Sequence, residues 1–243
     1  MKFKRNPPPG NVRQVVSTGQ NIRGNITNKA GRIVQFESWA ERALLLRLDR
    51  DSNITDYGSQ PERFQFTAPN GKQHSYTPDF VVWRSDGQVE IHEVTMTCRH
   101  TRPNIVQREA AATEICQARG WRYIIHTEIT LPQGGELANL LALFRYRPTA
   151  YADIAVSRKA GEWLAEGSSL ALQTLVARIE QDLGVARPAI VAALCHMLWH
   201  GEMDTDLHQL IFVAGNTGFS PGAWVQLRTA QTKVAEYNQG ERS

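Results

Sequence analysis

Two apolar runs decide the fold of this chain: Tyr76-Thr77-Pro78-Asp79-Phe80-Val81-Val82 and Val89-Glu90-Ile91-His92-Glu93-Val94-Thr95. The Asp86-Gly87 pair between them is typical of a hairpin turn, so the runs are predicted to be neighbouring antiparallel strands. Because strand side chains alternate, Glu93 and Thr95 face one side, whereas His92 faces the other. The pattern therefore predicts that Asp79 and Glu93 meet on one face of a small sheet.

A carboxylate pair on a rigid sheet suits Mg²⁺, a hard cation that takes oxygen ligands and keeps waters for chemistry on phosphates. A third acid is expected from the segment 36–48, whose apolar residues recur at helical spacing. Glu37 and Glu41 lie one turn apart on this predicted helix, and Glu41 borders the apolar stripe. The alternative reading of either residue is a solvated acid on the helix surface.

Several motifs then follow one another in a fixed order. They are Glu37-Ser38-x-x-Glu41-Arg42, Gln60-Pro61, Asn70-Gly71-Lys72, Tyr76-Thr77-Pro78-Asp79-Phe80, Glu93-Val94-Thr95 and Ile125-His126-Thr127-Glu128. This set, between about residues 30 and 145, resembles the TnsA-type endonuclease subunits of heteromeric transposases. The resemblance implies a restriction-endonuclease-like fold, with Glu41, Asp79 and Glu93 binding Mg²⁺, or Mn²⁺ as a substitute.

The chain departs from the family pattern at one position. The family pattern ends the second strand with a lysine that would orient the attacking water and balance phosphate charge, whereas this chain has Thr95. A threonine hydroxyl can position a water but has no charge. The residues considered for a displaced cation are Lys72, His92, Arg99 and Arg108. A subunit with weak or no nuclease activity, serving as an architectural component, is therefore an open alternative.

Composition favours a soluble, cytoplasmic protein, and the resemblance implies that it associates with the nucleoid during transposition. The chain has 243 residues, 42% of them hydrophobic, which is enough for two ordinary cores. It has no apolar run long enough to span a membrane and no signal-peptide pattern, so no membrane partner is expected.

The net charge of +3 is unevenly distributed along the chain. An N-terminal arm, residues 1–35, contains no acid and has the composition of a flexible segment that neutralises DNA phosphates; the alternative is a solubilising tail. The residues predicted to contact DNA are Lys2, Lys4, Arg5, Arg13, Arg23, Lys29 and Arg32 of the arm, with Gln60, Arg99 and Arg108 beyond it.

Residues 36–147 are predicted to form the catalytic α/β domain, a mixed sheet with flanking helices. Its expected elements are a helix at about 37–49, extended segments near 53–59 and 62–68, strands near 73–76, 79–84 and 88–95, a helix near 103–119, a strand at 121–126 and a helix at about 136–144. The last strand follows a helix and is nearly all apolar, so it is expected to join the sheet through a crossover.

Residues 148–243 are predicted to form a winged-helix domain with a C-terminal tail. Helices at 171–183 and 187–200 flank the tight turn Leu183-Gly184-Val185, and a wing is expected to begin at Gly201. The later helix has no Lys or Arg after Arg187, and residues 151–243 contain seven basic and ten acidic residues. This region therefore suits a protein partner better than DNA.

The resemblance implies a subunit that cuts one strand at transposon ends while a separate transposase subunit cuts and joins the other. It also implies that the C-terminal domain docks on an ATP-dependent transposition regulator. A free-standing defence or repair nuclease of the same fold is the remaining alternative.

Overall fold

The chain divides between Leu131 and Pro132 into two units, residues 1–131 and 132–243. The computed structural model describes residues 22–68, 70–165, 169–213 and 218–228. The boundary expected from the sequence lay between residues 147 and 148. The observed boundary falls earlier, because the helix at Gly134–Phe144 packs with the helix at Arg187–His200 of the second unit.

The first unit follows the expected order of elements, with ends that differ by a few residues. In chain order these are β1 (Gly24–Thr27), β2 (Ile33–Phe36), α1 (Trp39–Arg50), β3 (Ile54–Ser59), β4 (Phe64–Thr67), β5 (Gln73–Tyr76), β6 (Phe80–Arg84), β7 (Val89–Val94), α2 (Thr97–His100), α3 (Pro103–Ala118) and β8 (Arg122–His126).

A four-stranded mixed sheet in the order β3-β6-β7-β8 forms the centre of this unit. β3, β6 and β7 pair antiparallel, whereas β8 returns parallel to β7 after the crossover helix α3. On one face of the sheet, Val81 and Ile91 pack with Ala112 and Cys116 of α3. Such a mixed sheet with flanking helices is consistent with the restriction-endonuclease-like fold.

Local signals in the sequence set the ends of α1 and α3. Ser38 is the N-cap of α1, and its hydroxyl accepts a hydrogen bond from the Glu41 amide at 3.1 Å. Pro103 occupies the first turn of α3, and Gly120 follows its end with φ of 70°, a left-handed conformation that glycine adopts without strain. These ends place α3 across the face of the sheet that contains Glu93.

The end of the expected N-terminal arm is folded. β1 and β2 form an antiparallel hairpin that pairs Gly24 with Phe36, and Val34 and Phe36 are buried. Burial of these apolar side chains outweighs the loop-like composition of the segment. The prediction of a flexible arm, residues 1–35, is therefore wrong for residues 24–35, which are folded. Residues 1–21 lie outside the described part of the chain.

The second unit combines helices with a small sheet. Its elements are α4 (Gly134–Phe144), a short 3-10 helix (Thr149–Tyr151), α5 (Ile154–Leu164), β9 (Leu170–Ala171), α6 (Leu172–Leu183), α7 (Arg187–His200), β10 (Met203–Asp204) and β11 (Trp224–Leu227). β11 lies between β10 and β9 and pairs antiparallel with both. The helices α6 and α7 agree with the sequence, whereas α5 and β11 were not expected from it.

Helix α7 is the central helix of this unit. Every residue from Ala193 to Trp199 is buried. The side chains of His196 and His200, one turn apart, contact the backbone oxygens of Tyr146 and Arg147 at 2.9 Å. These histidines therefore have structural partners.

No helix in the described part of the chain is both long and apolar enough to cross a membrane.

Candidate active site

Asp79 and Glu93 lie opposite one another at one edge of the sheet. The register of β6 and β7 pairs Phe80 with His92, and its continuation by one residue pairs Asp79 with Glu93. Asp79 Oδ2 accepts a hydrogen bond from the Val94 amide at 2.7 Å. Glu93 is buried, at 5% exposure, whereas Asp79 is partly exposed. The pair therefore lies at the boundary between the protein interior and solvent. The predicted meeting of these two carboxylates is therefore observed.

Glu41 is held at the N-terminus of α1. Its Oε1 accepts a hydrogen bond from the Ser38 hydroxyl at 3.0 Å, and its Oε2 accepts one from the Glu37 amide at 2.8 Å. The arrangement resembles a capping box, in which a serine and a glutamate three residues later bind each other's backbone amides, but here the glutamate accepts from the amide of Glu37, one residue before the serine. The Ser-x-x-Glu spacing is visible in the sequence, although the capping role was not inferred from it. Both Glu41 oxygens therefore have a structural partner.

Glu37 is a further acid of this cluster. Its Oε1 accepts a hydrogen bond from the side-chain Nε2 of Gln60 at 3.0 Å. The backbone amide of Gln60 donates to the backbone carbonyl of Asp79 at 2.7 Å. Gln60 has φ of 46°, the left-handed region that non-glycine residues rarely adopt. Gln60, predicted to contact DNA, thus joins the end of β3 to both Asp79 and Glu37.

The cation nearest the carboxylate pair comes from α3. Arg108 Nη2 lies 2.6 Å from Glu93 Oε1, and its guanidinium lies 4.9 Å from the centre of the Tyr76 ring. Among the residues considered for a displaced cation, only Arg108 has an ion pair with Glu93 in the described part of the chain. Lys72 lies in the turn between β4 and β5, Arg99 lies exposed on α2, and His92 points to the other face of the sheet.

The acids of the site hold their protons more tightly than usual. Burial, followed by the charge of Glu41, raises the pKa of Asp79 to about 7, despite the Val94 hydrogen bond and the charge of Arg108. Burial and the charge of Asp79 raise the pKa of Glu93 well above its ordinary value. Burial likewise raises the pKa of Glu41, with a smaller contribution from Glu37. These mutual effects show that the acids influence one another electrostatically.

The cluster is not arranged as a ready-made metal centre. Within the described ranges, no group of three or more His, Cys, Asp or Glu side chains is positioned to hold a metal ion. Glu93 Oε2 is nevertheless buried without a hydrogen-bond partner. Thr95 follows β7, is partly buried, and donates its amide to the His126 carbonyl at 2.9 Å.

Cations of the N-terminal hairpin contact other parts of the first unit. Lys29 Nζ donates to the Asp51 and Ile54 carbonyls at 2.6 and 2.9 Å, and burial lowers its pKa. Arg32 forms an ion pair with Asp56, and Arg23 Nη2 lies 4.0 Å from Glu37 Oε2. The predicted DNA contacts Lys2, Lys4, Arg5 and Arg13 lie outside the described residues.

A groove of about 520 Å³ lies within the second unit. Apolar groups from the start of α7, from α6 and from the segment before β11 line it, including Val176, Val191 and Phe219, with Arg187 also in the lining. The groove is distinct from the carboxylate cluster, which belongs to the first unit.

Residues 51–128 match the family model described as TnsA-like endonuclease N terminal. By sequence, this segment is similar to TnsA-like endonuclease domains. It includes Asp79, Glu93 and Arg108 but not Glu41, and it confirms the resemblance found from the motifs. At a coarse level, the match supports a nuclease related to transposase subunits. No curated protein matches the chain.

Sequence reasoning ranked two features of the site too low. Arg108 is one of four candidate cations in the sequence, and nothing there singles it out, because helix periodicity does not say which residue of α3 reaches the sheet. Glu37 was set below Glu41 because it lies farther from the apolar stripe. In both cases the deciding contact joins segments far apart along the chain.

Proposed function

We propose that this protein is a Mg²⁺-dependent endodeoxyribonuclease subunit of a transposase. It cuts one strand at transposon ends together with a separate transposase subunit. The observation that carries the proposal is the placement of Asp79 opposite Glu93, within a segment that matches TnsA-like endonucleases.

The donor set at this site fits a hard divalent cation. Carboxylate oxygens are the ligands that Mg²⁺ takes in proteins, usually one or two of them with several waters. Glu93 Oε2 is buried with no hydrogen-bond partner, and such an oxygen is costly unless an ion or water satisfies it. We assign Asp79 and Glu93 as the residues that would hold Mg²⁺ or Mn²⁺, with Glu41 beside them.

When bound, Mg²⁺ supplies Lewis-acid stabilisation of the phosphodiester and of the attacking water. The chain's own residues position the reactants. The Val94 amide holds the Asp79 carboxylate, and Arg108 holds Glu93. Arg108 also supplies a permanent positive charge beside the site, where negative charge develops on the phosphate. Thr95 offers a neutral hydroxyl that orients a water.

Arg108 thus takes over part of the role of the missing lysine. An arginine keeps its charge at any working pH and binds phosphate oxygens through a planar fork. It cannot act as a proton donor in the way that a lysine with a lowered pKa can. The proposed role is therefore electrostatic balance and phosphate orientation.

The test is strand-resolved cleavage of transposon-end DNA by the full chain with its partner transposase. Asp79→Asn should abolish Mg²⁺-dependent nicking, because it removes one charged ligand. Asp86→Asn is the matched control, since Asp86 is exposed in the turn of the same hairpin and asparagine suits that turn. Nicking by Asp79→Asn at the parent rate would remove Asp79 from the mechanism.

A second function, an architectural subunit, is favoured by Thr95 and by the lack of a three-ligand group among the described residues. Calorimetry separates the two functions. If the site is a nuclease site, the wild type should bind Mg²⁺ or Mn²⁺ and Asp79→Asn should not. An architectural subunit should bind neither metal, even with DNA present.

For the second unit we propose a winged-helix domain that binds the ATP-dependent regulator. Three features support this proposal. The order α5, β9, α6, α7, β10, β11 with a three-stranded antiparallel sheet suits such a domain. Residues Ala193–Trp199 are buried, so this part of α7 cannot enter a DNA groove. Residues 151–243 are also net acidic.

Capture by the immobilised regulator tests this assignment. Val191→Asp places a charge in the groove and should weaken capture, whereas Ala155→Asp, an exposed position near the start of α5, should not. Equal capture of both variants and the parent would exclude the groove as the docking site.

A further inference from the structure

The strands β4 and β5 form a ribbon that stands apart from the central sheet. In the described part of the chain they pair only with each other, with Phe64 opposite Tyr76 and Thr67 opposite Gln73. Phe64 is 1% exposed and packs in the core of the first unit, so the base of the ribbon is fixed. The ribbon therefore extends from a rigid base.

One face of the ribbon consists of neutral side chains that are able to donate and accept hydrogen bonds. Gln65 lies opposite Ser75, and Thr67 lies opposite Gln73; all four are exposed. The Gln73 side-chain amide donates to the Thr67 hydroxyl at 2.8 Å. Because strand side chains alternate, the other face presents the aromatic pairs, with Phe66 and His74 stacked at 5.6 Å. In the described part of the chain, no other element packs against the amides and hydroxyls of this first face.

The charge of the ribbon complements a polyanion. Residues 63–78 contain Arg63, Lys72 and His74 and no acid. Lys72 is exposed in the turn at the tip. Phosphate oxygens attract such a segment, and the attraction is independent of base sequence.

The base of the ribbon adjoins the carboxylate pair. β5 ends at Tyr76, and Asp79 follows three residues later. The Tyr76 ring contacts the guanidinium of Arg108, which pairs with Glu93. At about 3.3 Å per residue, the four steps from Tyr76 to Lys72 span about 13 Å, enough to cross a major groove about 12 Å wide and 8.5 Å deep.

We propose that this ribbon enters the major groove of the duplex beside the phosphate that is cut. The Gln65, Thr67, Gln73 and Ser75 face contacts base edges, and Lys72 contacts the backbone. A two-stranded ribbon fits the major groove, and a glutamine amide can pair with adenine through two hydrogen bonds. The inference rests on the proposed nuclease function and adds an element that selects where on the DNA the cut falls.

The experiment measures DNA binding separately from cutting. Full-length Asp79→Asn protein serves as the parent, and its binding to duplex DNA is followed by fluorescence anisotropy over a range of salt concentrations. Adding Lys72→Ala should weaken binding about fivefold and reduce the salt slope by about one. Lys159→Ala, in the second unit, is the control and should change neither quantity.

Base readout is tested by selection from randomised duplexes. Gln65→Ala with Gln73→Ala should flatten the base preference at the contacted positions, whereas Gln117→Ala on the exposed surface of α3 should leave the preference as in the parent. Circular dichroism melting confirms that each variant is folded; these side chains are exposed, so little change is expected.

The outcomes distinguish the ribbon from the nuclease. Unchanged affinity, salt slope and base preference in all ribbon variants overturn the inference even where Asp79→Asn abolishes nicking. Loss of binding and preference in those variants supports the inference even where the wild-type chain cuts no DNA, and the nuclease proposal then fails by itself.

Discussion

Glu90 and Glu93 lie three residues apart on β7 and are both buried, at 2% and 5% exposure, yet they have opposite surroundings. Glu90 faces three nitrogen groups: His92 Nε2 at 3.1 Å, Arg122 Nη1 at 3.3 Å and Arg84 Nη1 at 3.8 Å. Burial by itself would raise the pKa of Glu90, but the hydrogen bond from His92 and these neighbouring charges lower it below its ordinary value.

Glu93 faces another acid and a single described ion-pair partner. Asp79 lies opposite it, Arg108 contacts one of its oxygens, and the other oxygen has no hydrogen-bond partner. Its pKa is raised by burial and by Asp79. The comparison teaches that a buried acid with several cationic partners holds the fold together, whereas a buried acid short of partners is suited to bind a ligand.

The largest effect is expected from the acid that is short of partners. Glu93→Gln should reduce Mg²⁺-dependent nicking about 1,000-fold, since it removes a charged ligand beside the phosphate. Its free energy of unfolding should change little, because removal of the repulsion from Asp79 offsets the loss of the ion pair with Arg108. Strand-resolved nicking and urea denaturation measure the two quantities. A large loss of stability instead would place Glu93 in the same structural class as Glu90.

Arg108 gives the next largest effect. Arg108→Gln should slow nicking about 100-fold, because the charge that balances the phosphate is lost, and Arg108→Lys should recover part of the rate. Arg102→Gln, at the exposed N-cap of the same helix, is the control. Equal rates for Arg108→Gln and the wild type would show that the lost lysine has no substitute here.

Glu90→Gln should act on stability and not on nicking by the folded protein. The substitution leaves Arg84 and Arg122 without their buried carboxylate, which should cost about 2 kcal/mol in the free energy of unfolding. Urea denaturation measures the loss, and nicking is compared at equal folded concentration. If Glu90→Gln loses as much nicking activity as Glu93→Gln, the distinction between a structural Glu90 and a ligand-binding Glu93 is wrong.

The pH dependence of wild-type stability should be the smallest effect, because acids with raised pKa values, such as Asp79, oppose groups with lowered pKa values, such as His126. The pKa of Asp79 is raised to about 7, so its contribution is complete below about pH 4 and is lost as the pH rises through about 7. Burial, followed by the charge of His92, lowers the pKa of His126 to about 3, so its contribution is present above about pH 6.5 and is lost as the pH falls through about 3.

Single variants should reveal these two opposing slopes. In metal-free buffer, Asp79→Asn should gain stability over the wild type as the pH rises from about 4 to 7, whereas His126→Gln should gain as the pH falls from about 6.5. Urea denaturation at a series of pH values measures both. Parallel curves for a variant and the wild type would show that its titration is not linked to folding.

Much of the first unit was predictable because its signals are local. Side-chain alternation and the Asp86-Gly87 turn fixed the β6–β7 hairpin and therefore the placement of Asp79 opposite Glu93. Pro103 and Gly120 marked the ends of α3. The second unit was less predictable, since β9 and β10 have two residues each and pair with β11 across long separations in sequence.

The sequence by itself therefore determined which strand faces contain acids, because a two-residue period and a tight turn leave only one register with a buried apolar face. Only the tertiary structure decided which cation reaches Glu93, that both Glu41 oxygens accept hydrogen bonds at the start of α1, and that residues 24–36 pack as a hairpin. These contacts join separate elements, and their formation depends on how helices and strands pack. The local periodicity of the sequence does not predict how these elements pack.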